Sequence, residues 1–204
     1  MNIKDLVQQI QNIAEGKHRT LIGIAGPPAS GKSTLAKQIS QQIDHSILVP
    51  MDGFHLDNSV LDKMGTLDRK GAPFTFDADG FISMVKEIKT GSCCVNVPEF
   101  DRELDRVVYK GLRVNETHNV IIVEGNYLFL DEAPWQQMHP LFDFSVLLSP
   151  DLTITKTQLI QRWLEHGYSL QDAKVKAQQN DLPNAELILS KSLQANLVLS
   201  DIQI

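Results

Sequence analysis

The chain predicts an α/β fold in which a parallel sheet is covered by helices on both faces. Three observations carry this. Five short apolar runs are continuous rather than alternating, as strands buried on two faces must be. Between them lie stretches with apolar residues at helical spacing, and strand–helix alternation is the pattern of a parallel sheet. The first run leads straight into Gly26-Pro27-Pro28-Ala29-Ser30-Gly31-Lys32-Ser33, a glycine-bounded turn that opens a helix.

The elements follow in order. Ile3, Leu6, Val7, Ile10 and Ile13 share one face of an N-terminal helix. Its other face is glutamine-rich and not basic, so packing on the domain is expected rather than attachment to a membrane surface. Residues 20–25 form the first strand, and Leu35, Ala36, Ile39 and Ile43 mark the helix after it. Residues 47–51, 120–123, 144–148 and 197–199 supply four further strands. Residues 152–166 read as a helix stopped by Gly167, and Ser169-Leu170-Gln171-Asp172 resembles a capping box opening another. Residues 53–119 break the rhythm with short mixed segments. That length is too great for a plain connection, so it reads as an insertion closing over a substrate. With no repeat or linker, one domain is expected over 1–204.

Composition narrows the function. The 204 residues are 42% hydrophobic and 22% charged, with a net charge of -6. An acidic balance of this kind is a poor footprint for nucleic acid or anionic membrane, though it leaves room for a local basic phosphate pocket. No run is long and apolar enough to span a bilayer, and the N-terminus lacks the contiguous apolar core of a signal peptide. The cysteines, Cys93 and Cys94, are adjacent, which suits neither a disulfide framework nor a zinc site. Two reduced thiols in a cytoplasmic protein are expected. The sequence leaves a homodimer open.

The turn at 26–33 matches G-x-x-x-x-G-K-[ST] in the strand–turn–helix context that this phosphate-binding motif requires. With glycine near 7% of residues, a chance match anywhere in the chain is on the order of one in a hundred. Gly26, Ala29, Ser30, Gly31, Lys32, Ser33 and Thr34 are therefore the expected nucleotide-binding residues. Lys32 would reach the β- and γ-phosphates, and Ser33 would ligate Mg²⁺. No Asn-Lys-x-Asp segment of the GTPase kind is present.

A small-molecule kinase needs more than this loop: a metal-holding carboxylate, a base for the acceptor hydroxyl, and a cation over the transferring group. Asp52, after the second strand, is the candidate base, and Glu124, after the third, the candidate metal carboxylate. Arg162 is the candidate cation, on a region at 151–183 read as a lid; spacing alone equally allows an exposed helix arginine. The expected reaction is transfer of the γ-phosphate of ATP to a hydroxyl. The alternatives are a regulatory ATP-binding protein or a slow NTPase on the same fold.

Taken together, GPPASGKS, MDGFHLDN, RKGAPFTFD, PEFDRELD, VEGNYLFLD, RWLEHG and NDLPNA resemble the uridine kinase and pantothenate kinase branch of the P-loop kinases. Within it, the chain is most similar to bacterial proteins called nucleoside kinase-like or fructose-transport-associated kinases. The resemblance implies a five-stranded parallel sheet, a mobile lid, and ATP with magnesium. It implies a base at Asp52, the Glu-Gly acid at Glu124, a lid arginine at Arg162 and a hydroxyl contact at Asp77. The acceptor would be a nucleoside, a pantothenate-like compound or a sugar. The run Pro98-Glu99-Phe100-Asp101-Arg102 departs from the uridine kinase pattern Pro-x-Tyr-Asp-Phe, and Asp105 stands where that pattern has histidine. Phe100, Asp101 and Arg102 are therefore substrate-side candidates for a different acceptor.

Overall fold

A computed structural model of the protein describes residues 2–91, 94–109 and 111–200. Helix α1 (Ile3–Ala14) is capped by Asn2 and buries Leu6, Val7 and Ile10. Strand β1 (Thr20–Ala25) is buried at every position and feeds the turn into α2 (Lys32–Ser40). Strand β2 (Ser46–Pro50) ends in a tight 3₁₀ turn over Met51–Phe54. There follow α3 (Asn58–Lys63) and α4 (Ala78–Lys89). Next come β3 (Cys94–Asn96), β4 (Glu99–Asp101), β5 (Arg106–Val108) and β6 (Arg113–Asn115). The chain returns through β7 (Val120–Gly125) and β8 (Phe144–Leu148), then α5 (Leu152–Glu165), α6 (Leu170–Lys176) and α7 (Leu182–Lys191), to β9 (Leu197–Leu199).

Five strands form one parallel sheet in the order β2-β7-β1-β8-β9. Each lies within two residues of its sequence-predicted position. The two faces are covered separately. Ile121 and Val123 of β7 pack with α4, Tyr127 and Trp135, whereas Val120 and Ile122 pack with α1 and α2. This two-residue period puts Glu124 on the α2 face. The register sets it beside Ile24 of β1 and Pro50 of β2.

Within 53–119, read from sequence as an insertion closing over a substrate, the structure places a helix of the core. Phe81, Ile82, Val85 and Ile88 of α4 are buried in the core beneath β7. At about 1.5–3 kcal/mol for each large apolar side chain removed from water, this helix is a wall of the fold. The small ladders β3–β6 and β4–β5 are antiparallel. Of the two cysteines, Cys94 is an exposed free thiol, and Cys93 lies outside the described residues.

Helices α5 to α7 have a small core of their own, with Leu159, Ala177 and Leu182 packed on Trp163 and on Ala29 of the phosphate loop. Ser169 caps α6 as the capping-box reading required, accepting from the Asp172 amide. Residues Ala177–Asp181 form a π turn between α6 and α7. There Asp181 accepts from the Trp163 indole at 2.6 Å, while Asn180 bridges outward to residues 69 and 70.

Candidate active site

The loop between β1 and α2 has the backbone of an anion cradle. Ala29 and Gly31 hold positive φ values of 63° and 84°, a pattern that turns successive N–H groups inward. Ala29 bears strain there, on the order of 1–3 kcal/mol, and it is held by packing against the α5–α7 core. Gly26 is required by close approach: a Cβ would lie 2.8 Å from Ser30 Oγ and 2.9 Å from Leu148 Cβ. The loop is followed by the first turn of α2, where Lys32, Ser33 and Thr34 sit at the positive end of the helix dipole.

Lys32 Nζ lies 3.5 Å from Pro27 O, resting on the loop itself. Burial lowers its pKa, while the negative charges of Glu124 and Asp52 act the other way. Ser33 Oγ donates to Glu124 Oε1 at 3.1 Å. Glu124 is 5% exposed. Its second oxygen, Oε2, is buried and has no hydrogen-bond partner among the described residues. Burial raises the pKa of this carboxyl; Lys32 opposes that effect and Asp52 adds to it. A buried carboxylate oxygen with unmet demand, beside a hydroxyl at a helix start, suits a hard cation with oxygen ligands. Among the described residues no group of three or more His, Cys, Asp or Glu could hold a metal. One carboxylate beside one hydroxyl suits Mg²⁺, which keeps several waters and shares ligands with phosphate.

Asp52 stands in the turn after β2. Its Oδ2 accepts from Arg102 Nη2 at 2.8 Å. The Asp52 carbonyl lies 2.8 Å from His55 Nδ1. A carbonyl can only accept, so Nδ1 carries the proton. Burial lowers the His55 pKa and keeps the ring neutral, which leaves Nε2 as an acceptor. The His55 ring centroid is 4.1 Å from that of Phe76 and 4.6 Å from that of Phe100. Lys70 Nζ lies 4.9 Å over Phe100 and pairs with Asp105 at 2.7 Å.

Of the residues singled out from sequence, Lys32, Ser33, Glu124, Asp52 and Arg102 share one electrostatic neighbourhood. Arg162, half-buried on α5, is felt by Lys32 as a further positive charge. Phe100 forms part of the aromatic stack. Asp77 and Asp101 each take a local structural contact. The exposed Asp77 side chain caps α4, accepting from the Gly80 amide. Asp101 Oδ1 accepts from the Glu103 and Leu104 amides and shapes the hairpin turn. Both acids thus accept from local backbone amides through Oδ1. The sequence left open whether His55 contacts substrate, and Lys70, Tyr127 and Asn180 were not singled out. The signal for His55 was its spacing, three residues after Asp52. Tyr127, in Glu-Gly-Asn-Tyr, donates to Gly71 O at 2.6 Å and so ties β7 to the loop at 69–71.

The profile of the phosphoribulokinase/uridine kinase family matches residues 21–195. The Escherichia coli (strain K12) protein YggC is 35% identical over 189 residues, which cover 90% of this chain and 78% of that protein. "Putative uridine kinase C227.14" of Schizosaccharomyces pombe is 29% identical, covering 98% of this chain and 91% of its own. Among solved structures, a "putative fructose transport system kinase" from Silicibacter sp. TM1040 superposes with a TM-score of 0.91 at 37% identity, covering 97% of this chain and 98% of the other.

Proposed function

Because the chain belongs to the phosphoribulokinase/uridine kinase family, a family of P-loop small-molecule kinases, we propose that it moves the γ-phosphoryl group of ATP to a hydroxyl of a small acceptor, with Asp52 as the base. One observation supports this best: Lys32 lies in the field of two carboxylates, Glu124 and Asp52, and of two guanidinium groups, Arg162 and Arg102. A nucleotide-binding protein without turnover needs the first carboxylate for its metal and has no use for the second.

The roles follow from the chemistry. The backbone N–H groups of Ala29 and of residues 31–34 hold the β-phosphate, and Lys32 offsets charge on the β- and γ-phosphates. Ser33 and Glu124 would hold Mg²⁺, and the chemistry it would supply is neutralisation of phosphate charge. Asp52 takes the proton of the acceptor hydroxyl as the new O–P bond forms. The bond between the γ-phosphorus and the β,γ-bridging oxygen breaks, and its electron pair leaves with ADP. Arg162 stabilises the three equatorial oxygens in flight, and α5 to α7 act as a lid that excludes water from them. The acceptor is a nucleoside, a pantothenate-like compound or a sugar, bound against His55 and Phe100.

The test is ADP release with and without a panel of pantothenate, nucleosides and ketohexoses. Acceptor-dependent release selects the kinase. Release of equal rate without any acceptor selects a slow NTPase, and tight ATP binding with no release selects a regulatory ATP-binding protein.

A further inference from the structure

Arg102 sits at the tip of a hairpin whose base is fixed. Gly53 packs so closely under this hairpin that a Cβ there would lie 2.0 Å from Pro98 O. Phe100 stacks on His55, and β4 pairs with β5 through Phe100–Val107 and Asp101–Arg106. Asp101 Oδ1 then closes the turn through two amides, each at 3.1 Å. The backbone under Arg102 is thus anchored, while its side chain is 62% exposed and meets Asp52 through one nitrogen–oxygen pair. An exposed single contact of this kind is worth only ~0–1 kcal/mol and opens readily.

For Asp52 Oδ2 to serve as the base in the reaction that the preceding subsection proposes, the pair has to open, and the inference rests on that reading. Asp52 Oδ2 is occupied by the guanidinium at 2.8 Å, so an acceptor hydroxyl cannot reach that oxygen until the pair opens. Opening it releases a planar cation beside the acceptor. Of the cations nearby, Lys70 already has Asp105 and Asn58, and Arg69 donates through Nε to Asn180. A released guanidinium is best satisfied by a carboxylate or a phosphate, which it can grip with two parallel N–H groups.

We propose that the acceptor carries an anionic group besides its reacting hydroxyl, and that this anion draws Arg102 off Asp52 and frees the base. Arg102 is then both the selector of the acceptor and the latch on the catalytic carboxylate. A neutral acceptor would have to break the pair and leave the guanidinium with water alone.

The experiment uses matched acceptors: pantothenate against pantothenyl alcohol, D-glycerate against glycerol, and fructose 6-phosphate against fructose. The first two pairs report a carboxylate and the third a phosphate. The full chain, labelled with ¹⁵N-arginine and saturated with a non-hydrolysable ATP analogue and Mg²⁺, is titrated with each. The Arg102 Nε–H signal is identified by its loss in Arg102→Gln. It should move saturably with at least one anionic member and with no neutral counterpart. For that anionic acceptor, kcat/KM should exceed that of its counterpart ~10- to 100-fold. Arg102→Gln should erase the ratio chiefly by raising KM, and Arg102→Lys should restore part of it. Silence of the Arg102 signal toward every anion overturns the inference, as does an equal response to a neutral member or an unchanged ratio in Arg102→Gln. Failure of the kinase reading looks different: Arg102 responds and ATP binds, yet no acceptor of either charge receives phosphate.

Discussion

Ser33 Oγ meets Glu124 Oε1 at 3.1 Å across the gap between the start of α2 and the end of β7, and the other oxygen of Glu124 is buried without a partner among the described residues. The two residues are far apart in the chain and are joined by the β1–β7 register. A carboxylate in that position is a cost to the free protein and a benefit to the loaded one.

Glu124→Gln should therefore act in opposite directions on stability and turnover. The folded pKa of Glu124 is raised, so its charged form is disfavoured by folding; the cost is present above the folded pKa and is relieved as pH falls through it. Removing the charge should raise the urea midpoint of the nucleotide-free protein at pH 7. Turnover should fall by ~10- to 100-fold, with a weaker dependence on Mg²⁺. A variant destabilised when free of nucleotide and still fully active in excess chelator would contradict both roles.

Lys32→Ala should remove most ATP binding, because the polyphosphate loses its nearest point charge. Isothermal titration with ATP and circular dichroism of the same sample test this. Near-normal affinity in a folded variant would remove the phosphate-loop assignment.

His55 should make the fold acid-sensitive. Burial depresses its pKa below the usual 6.5. The stability it confers is then fully present above that value and is lost as pH falls through 6.5 towards the folded pKa. Urea midpoints measured between pH 7 and pH 5 should decline, and His55→Gln should show a shallower decline. An equal slope in both proteins would mean that the ring is not held neutral.

Gly53→Ala tests the anchoring of the hairpin. The added methyl would meet the Pro98 carbonyl, a backbone group that cannot swing aside. A loss of about 1–3 kcal/mol is expected from such overpacking, along with a changed Arg102 Nε–H signal. Unchanged stability would show that 98–101 moves freely.

The sheet was legible in the sequence because its strands are continuous apolar runs, Val120-Ile121-Ile122-Val123 above all. The phosphate loop was legible because its glycines answer to local backbone geometry. Helix α4 was overlooked although Phe81, Met84, Val85 and Ile88 keep helical spacing, because Asp79 and Gly80 in its first turn read as a loop. The Asp52–Arg102 pair could not be read, since it depends on how a hairpin tip docks against a strand end. Asp77 was singled out by the family resemblance and Asp101 by its place in the run 98–102, and the structure engages both with nearby backbone amides. Local capping is the commoner use of an aspartate beside a helix or turn.

The central claim is that Asp52 is the base of a phosphoryl transfer to an acceptor hydroxyl. The most direct test follows label from [γ-³²P]ATP in wild type and Asp52→Asn, with ATP affinity measured beside it. Asparagine keeps the size and shape but cannot take the proton. Wild type should place label on the acceptor, and Asp52→Asn should do so ~10²- to 10⁴-fold more slowly with nearly unchanged ATP affinity. Lost ATP binding with surviving transfer, or label found only in inorganic phosphate in both proteins, would contradict the account.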